Sequence, residues 1–236
     1  QMISQLHQLI DKVIDTEERR KQAQITALQA QFNPHFLYNS LYMITMQAEL
    51  DQNYKISEMS FLLSKLLRYS VGKHGIWVPV KQECDHFQTY MRLMQFRFPK
   101  IGFVLEMEEE ANEGVMMRLM LQPIVENAIL HGLVPKDGHG EIRLSLKVIP
   151  GADDGRQLVI VVEDDGIGMS DNTVDALLAD LCAPKERDGN GRGIGIKNVY
   201  ERLELFYGYQ FAFKLESKEG AGTKCRIVIP LKAQSL

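Results

Sequence analysis

The apolar residues of the first third of the chain recur in steps of three and four, and this periodicity limits that region to helices. Ile3, Leu6, Ile10 and Val13 take the a/d spacing of a coiled-coil seam. Glu17, Glu18, Arg19, Arg20 and Lys21 interrupt it, and the stripe resumes at Ile25, Leu28 and Phe32, one residue out of phase. A phase change of this kind alters the local supercoil. A solvated helix with an imperfect stripe fits the same residues, and a dimer seam is the reading adopted. Pro34 removes a backbone donor, so it kinks or restarts the helix. Phe36, Leu37, Leu41, Ile44 and Met46 then support a helix to about Leu50. After a turn at Asp51-Gln52-Asn53, Ile56, Met59, Leu62, Leu63, Leu66, Leu67 and Tyr69 give a second amphipathic helix. Two such hairpins paired across a dyad make a four-helix bundle. Gly72, Gly75 and Pro79 punctuate a linker.

From Val80 the pattern changes. A helix through Arg97 ends before Pro99, and a strand follows at Ile101–Met107. Residues 116–131 read as helix, and 141–149 and 157–162 as strands joined by a Gly/Asp turn. A glycine-rich polar stretch precedes a helix over 194–206, and 211–215 with 223–231 form a closing hairpin. Helices mixed with mostly antiparallel strands, without βαβ alternation, predict an α+β two-layer sandwich. The expected division is a coiled-coil signalling helix at 1–31, a helical hairpin at 32–78 and a sandwich domain at 79–236.

Bulk properties exclude several classes. The 236 residues, 45% of them apolar, suffice for a real core. A net charge of −4 and a pI near 5.9 point to neither nucleic acid nor an anionic membrane. Cys84, Cys182 and Cys225 are far apart with no C-x-x-C pair, against a disulfide framework or thiolate metal site and in keeping with a reducing cytosol. No apolar run approaches the roughly 18 residues of a membrane-spanning helix, and no signal peptide opens the chain. Because Gln1 falls inside a helical pattern, the chain reads as a piece of something longer.

Three polar clusters carry chemistry. Glu126-Asn127-Ala128-Ile129-Leu130-His131-Gly132 follows the apolar face of Leu119, Leu121, Ile124 and Val125, so carboxylate, amide and imidazole can share one side of a helix. An Asn oxygen is a hard ligand that suits Mg²⁺. Asp164-Asp165-Gly166-Ile167-Gly168 directly follows an apolar strand. Its glycines let the backbone approach a flat ligand, and its carboxylate can accept from an exocyclic amine. A plain Asp-Gly strand ending has the same residues. Gly189-Asn190-Gly191-Arg192-Gly193-Ile194-Gly195 opens into a helix, where free N–H groups and the dipole end cradle phosphate. The absence of a preceding strand there argues against a Rossmann or P-loop site.

Asn127 with its helix, Asp164-x-Gly166-x-Gly168 and Gly191-x-Gly193-x-Gly195 together resemble the N, G1 and G2 boxes of the GHKL ATPase superfamily. Gly220-x-Gly222-Thr223 resembles its closing motif. The resemblance implies a Bergerat fold binding ATP and Mg²⁺: Asp164 and Thr223 at adenine, Asn127 on Mg²⁺, and residues 177–193 as a mobile lid. Gly193 and Gly195 would offer N–H groups to phosphate, with His131, Arg192 and Lys197 as further phosphate contacts.

Phe32-Asn33-Pro34-His35-Phe36-Leu37-Tyr38-Asn39 selects within that superfamily. A neutral imidazole is nucleophilic near physiological pH. The segment is similar to the H-box of LytS/YesM-like sensor histidine kinases, and Gln29, Gln31 and Leu66-Leu67-Arg68-Tyr69 fit that group as well. The resemblance implies a homodimer that phosphorylates His35 and passes the phosphate to an Asp of a response regulator. It also implies a cytoplasmic position in a membrane-anchored parent. Larger kinase families carry an acid directly after the phosphoacceptor, whereas this chain has Phe36. Asn39, one turn on, can hold the ring tautomer but cannot act as a base, which leaves Glu126 or water to take the proton. The competing expectations are a nucleotide-binding signalling scaffold without efficient transfer, and a mechanical ATPase.

Overall fold

The computed structural model describes residues 34–72, 75–151, 155–182 and 194–233. The coiled coil expected at 1–31 lies outside them. Helix α1 (Pro34–Leu50) and helix α2 (Tyr54–Val71) form the expected hairpin. The turn closes because Gln52 adopts a left-handed φ of 55° and the Asn53 side chain accepts from Ile56 N–H at 3.3 Å, capping α2. Leu62, Leu66 and Tyr69 are buried on one side of α2, while Phe36, Tyr42, Met43, Leu50, Tyr54 and Phe61 remain exposed on the hairpin.

The chain continues through β1 (Trp77–Pro79), α3 (Val80–Arg97), β2 (Ile101–Met107), β3 (Gly114–Met117), α4 (Leu121–Asn127) and β4 (Gly140–Pro150). It ends with β5 (Arg156–Asp164), α5 (Asp171–Cys182), α6 (Ile194–Tyr207), β6 (Ala212–Lys218), β7 (Gly222–Pro230) and β8 (Lys232–Ala233). The main sheet has the order β2-β4-β5-β7-β6, and β1-β3-β8 form a small second sheet. Along β4, β5 and β7 every second residue is buried: Ile142, Leu144 and Leu146; Leu158, Ile160 and Val162; Cys225, Ile227 and Ile229. This period-two burial presents one apolar face. Val80, Phe87 and Met91 of α3, Ile124 and Val125 of α4, and Val199 and Leu203 of α6 join that face in a single core. The α+β two-layer sandwich expected from the sequence is therefore the architecture. Cys84 and Cys225 are free thiols, both pushed up to about 12, chiefly by burial.

Four details differ from the sequence reading. Residues 116–131 are not one helix: Met116 and Met117 end β3, and α4 begins only at Leu121. Between them Leu119 takes a φ of 55°, unusual for a branched side chain. It is held by Glu83 of α3, whose Oε1 accepts from Leu119 N–H at 2.5 Å. Beyond Asn127 the helix widens into a π turn over Ala128–Leu133. The β2–β4 pair is parallel within an otherwise antiparallel sheet. Helix α5 occupies the start of the segment expected to be a mobile lid, and the remainder of that segment, 183–193, lies outside the described residues.

The Leu119 corner also joins the two parts of the chain. Tyr69 of α2 donates its hydroxyl to Glu83, and Arg118 donates to the carbonyls of Tyr69 and Gly72 at 3.2 and 3.0 Å. From the other side Arg202 of α6 donates to the carbonyls of Leu119 and Arg118 at 3.1 and 2.6 Å.

Candidate active site

Asp164 is the last residue of β5 and lies opposite Thr223 of β7. Only 7% of it is exposed. Gly166 N–H donates to Oδ1 at 2.9 Å, and the Thr223 backbone N–H donates as well. Burial nonetheless prevails over these two donors and raises the carboxyl to about 6. A buried carboxylate with spare acceptor capacity matches an amine donor.

The surroundings of Asp164 are built from backbone. A Cβ on Gly132 would lie 2.7 Å from Asp164 Oδ1, and a Cβ on Gly166 would lie 2.5 Å from the Gly132 carbonyl carbon. Only bare Cα atoms at both positions let the π turn close onto the strand end. Gly168, with φ +63°, brings the chain against the carbonyls of Lys218 and Gly222. Ser217 Oγ donates to Gly222 O and receives from Met169 N–H, each at 2.9 Å. That leaves Thr223 as the donor in the 2.9 Å contact between the two hydroxyls.

The same helix and turn carry the second group. Asn127 donates its amide nitrogen to Pro123 O at 2.7 Å, which leaves the amide oxygen for an ion. A Cβ on Gly195 would come within 2.9 Å of that nitrogen, so the first turn of α6 abuts Asn127. Among the described residues, no group of three or more His, Cys, Asp or Glu side chains could hold a metal unaided. A hard ion at Asn127 would therefore complete its shell with phosphate oxygens and water, as Mg²⁺ does. Glu126 accepts from Gln122 Nε2 at 2.7 Å and lines a cavity of about 500 Å³ together with Pro123, Asn198 and Arg202. Burial first and the Glu126 charge second push the nearby Tyr90 phenol upward, so it stays protonated.

Asn127, Asp164, Gly166, Gly168, Gly195 and Thr223 thus cluster around the 127–132 turn and the ends of β5 and β7. His131 is exposed on the π turn. Lys197 is engaged with Asp180 of α5 at 2.9 Å. Arg192 and Gly193 lie outside the described residues. His35 is exposed on α1, and the Asn39 amide nitrogen sits 3.2 Å from its Nδ1. This orientation makes Nδ1 the acceptor and puts the ring proton on Nε2, and a half-turn of the amide reverses both. Sequence reasoning gave no role to Gly132, Ser217 and Gln122. Of these, only Gln122 has a local signal, standing one helical turn before Glu126.

A glycine-built slot around a buried strand-end carboxylate, beside the helix that ends in Asn127, defines a nucleotide-binding domain of the Bergerat type. Residues 112–233 match the family of histidine kinase-, DNA gyrase B- and HSP90-like ATPases, and residues 23–101 match the histidine kinase family. The chain belongs to the sensor histidine kinases of the LytS/YesM-like group. It is 32% identical over 232 residues to the sensor histidine kinase YesM of Bacillus subtilis, covering 98% of this chain and 37% of that protein. It is 32% identical to the sensor histidine kinase YpdA of Escherichia coli, over 84% of this chain and 33% of the relative. With the sensor protein kinase HptS of Staphylococcus aureus the identity is 30%, over 95% of the chain and 41% of the relative. The chain therefore spans about two fifths or less of the length of these curated relatives. Among solved structures, the histidine kinase domain of the Erythrobacter litoralis EL346 blue-light activated kinase is similar, with a TM-score of 0.45 and 18% identity. That similarity covers 88% of this chain and 91% of that domain. No helix of the described residues is long and apolar enough to cross a membrane.

Proposed function

We propose that this chain moves the γ-phosphate of Mg·ATP onto His35 and then to an Asp of a response regulator. The observation that carries the reading is the Asp164 slot: a carboxylate 7% exposed, walled by Gly132 and Gly166, with donors already on one side. Adenine's amine would complete its acceptor capacity, and Thr223 would support the same ring. Asn127 would hold Mg²⁺, which when bound neutralises charge on the phosphates. Backbone N–H groups at Gly193 and Gly195 would stabilise the transferred group, with His131 and Arg192 as charged or polar contacts. Lys197 serves this role only by releasing Asp180. In the transfer an imidazole nitrogen of His35 forms a bond to the γ-phosphorus as the bond to the β,γ-bridging oxygen breaks. ADP leaves, and the ring proton passes to Glu126 or water. Asn39 would hold the ring tautomer through its contact with Nδ1.

The domain reading is a hairpin at 32–78 and an ATP-binding domain at 79–236, with a signalling coiled coil ahead of them. The exposed Phe36, Tyr42, Met43 and Phe61 of the hairpin support a homodimer in which these faces meet in a four-helix bundle. In the longer parent a sensor region anchored in the membrane would feed this cytoplasmic part.

Incubating the chain with γ-labelled ATP and Mg²⁺ tests the proposal. An acid-labile, alkali-stable label lost in His35→Ala is expected. Label persisting in that variant refutes His35 as acceptor. ATP binding without any label, also after adding a regulator, would favour a signalling scaffold, the reading to which Phe36 in place of an acid lends support.

A further inference from the structure

Behind Glu126 lies a chain of polar contacts that the transfer reaction as described leaves without a role. Gln122 donates through Nε2 to Glu126 Oε1 at 2.7 Å, and its Oε1 lies 2.8 Å from His86 Nε2. The charges fix the direction. An ionised carboxylate only accepts, so the amide nitrogen of Gln122 must face Glu126 and its oxygen must face His86. His86 then carries its proton on Nε2. His86 is 5% exposed and lies in α3 of the sandwich, but its ring stacks on Tyr69 of α2 with centroids 4.3 Å apart and planes at 29°. Tyr69 is itself fixed through its hydroxyl to Glu83. The contacts therefore run without a gap from the last turns of the hairpin to the carboxylate facing the 500 Å³ cavity.

We propose that Gln122 and His86 are positioning residues for phosphoryl transfer: they aim the Glu126 carboxylate, and through Tyr69 they make its aim depend on where α2 sits. Two donors in series leave the carboxylate one orientation out of the several an exposed Glu would sample. A shift of α2 that unstacks Tyr69 from His86 loosens Gln122 and, with it, Glu126. The hairpin thereby controls the site without touching the nucleotide. The inference rests on Glu126 serving the transfer.

The test is autophosphorylation of the whole chain across ATP concentrations, with Gln122→Met, His86→Phe, His86→Gln and Glu126→Gln compared. Met keeps the length of Gln122 without its amide, Phe keeps the ring beneath Tyr69 without its N–H, and Gln restores a donor where Nε2 was. In Gln122→Met and His86→Phe the rate at saturating ATP should fall about tenfold, the scale of one misaimed acid–base group. Half-saturating ATP should change less than twofold, and His86→Gln should recover most of the loss. An unchanged rate in Gln122→Met beside a slow Glu126→Gln overturns the positioning role alone. A full rate in Glu126→Gln overturns the role of Glu126 and the positioning chain with it. Equal losses of rate and ATP affinity, or a His86→Gln variant as slow as His86→Phe, would reduce the chain to packing and also overturn the proposal.

Discussion

If Asp164 holds the adenine amine as a carboxylate, acid should release adenosine from the site. The carboxyl is raised from 3.8 to about 6, burial being the main cause. Only the ionised form can accept from the amine with both oxygens. At pH 7 about nine tenths of the sites are ionised and at pH 5 about one tenth, so affinity should fall about tenfold across that interval. Adenosine is the right probe because ATP and ADP carry a phosphate group that titrates in the same range. The sign of the stability effect follows from the same shift. A folded-state value above the unfolded one means that this group's contribution is fully present below about pH 4 and is lost as the pH rises through about 6. The loss amounts to about 3 kcal/mol for the empty domain. Ligand should therefore raise the melting temperature more at pH 7.5 than at pH 5. Calorimetric titration of adenosine at both pH values, repeated with Asp164→Asn, is the assay. The variant should bind weakly and without pH dependence. Wild-type affinity that stays flat from pH 7.5 to 5, or a variant with the same slope, would refute the assignment of Asp164.

Three further outcomes follow from the geometry. Gly132→Ala places a Cβ 2.7 Å from Asp164 Oδ1 and should weaken adenosine binding at least about tenfold by calorimetry. Gly195→Ala crowds the Asn127 amide at 2.9 Å, so the gain in ATP affinity on adding Mg²⁺ should shrink while Mg²⁺-free binding persists. Glu83→Gln removes a charged acceptor, fully buried, that serves Tyr69 and the N–H groups at the start of α4. Urea unfolding should show a loss of about 3 kcal/mol, and a loss below about 1 kcal/mol would contradict the role given to it.

The parts legible in the sequence are those whose signal is local. Val80–Arg97 announces itself by apolar spacing and by Pro99 beyond it, and the Asp164 and Gly220 motifs are runs of adjacent residues. Leu119 was illegible because its left-handed backbone is imposed by Glu83, 36 residues earlier, while Met116 and Met117 continue the spacing of α4. Gly132 shows its purpose only once the π turn brings it against Asp164. Helix α5 is a different kind of miss. Val174, Leu177, Leu178 and Leu181 carry a helical period in plain view, and reading that stretch as a polar lid overrode it.

In the proposed reaction, both the helix of His35 and the helix of Glu126 take their position from one turn of α2. On the hairpin side, Tyr38, one turn beyond His35, donates its hydroxyl to Leu67 O at 3.2 Å, and Arg68 lies 5.8 Å over the Tyr38 ring. On the sandwich side, Tyr69 reaches Glu83, whose carboxylate accepts from the N–H groups of Leu119 and Met120 just before α4, the helix of Glu126 and Asn127. Residues 67–69 therefore face the helix of His35 with a carbonyl and a guanidinium, and face α3 with a phenol whose partner Glu83 holds the approach to α4. A rotation of α2 cannot change one contact set and spare the other, because neighbouring residues of one helical turn move together. The buried Glu83 bonds resist any motion that would leave the corner's N–H groups unpaired. The softer contacts, the Tyr38 hydroxyl on an exposed helix and the stack of Tyr69 on His86, are where such a rotation would be taken up. On the proposed function, a displacement of α1 should therefore reach Glu126 as a change in ring stacking, with the Asp164 slot left intact.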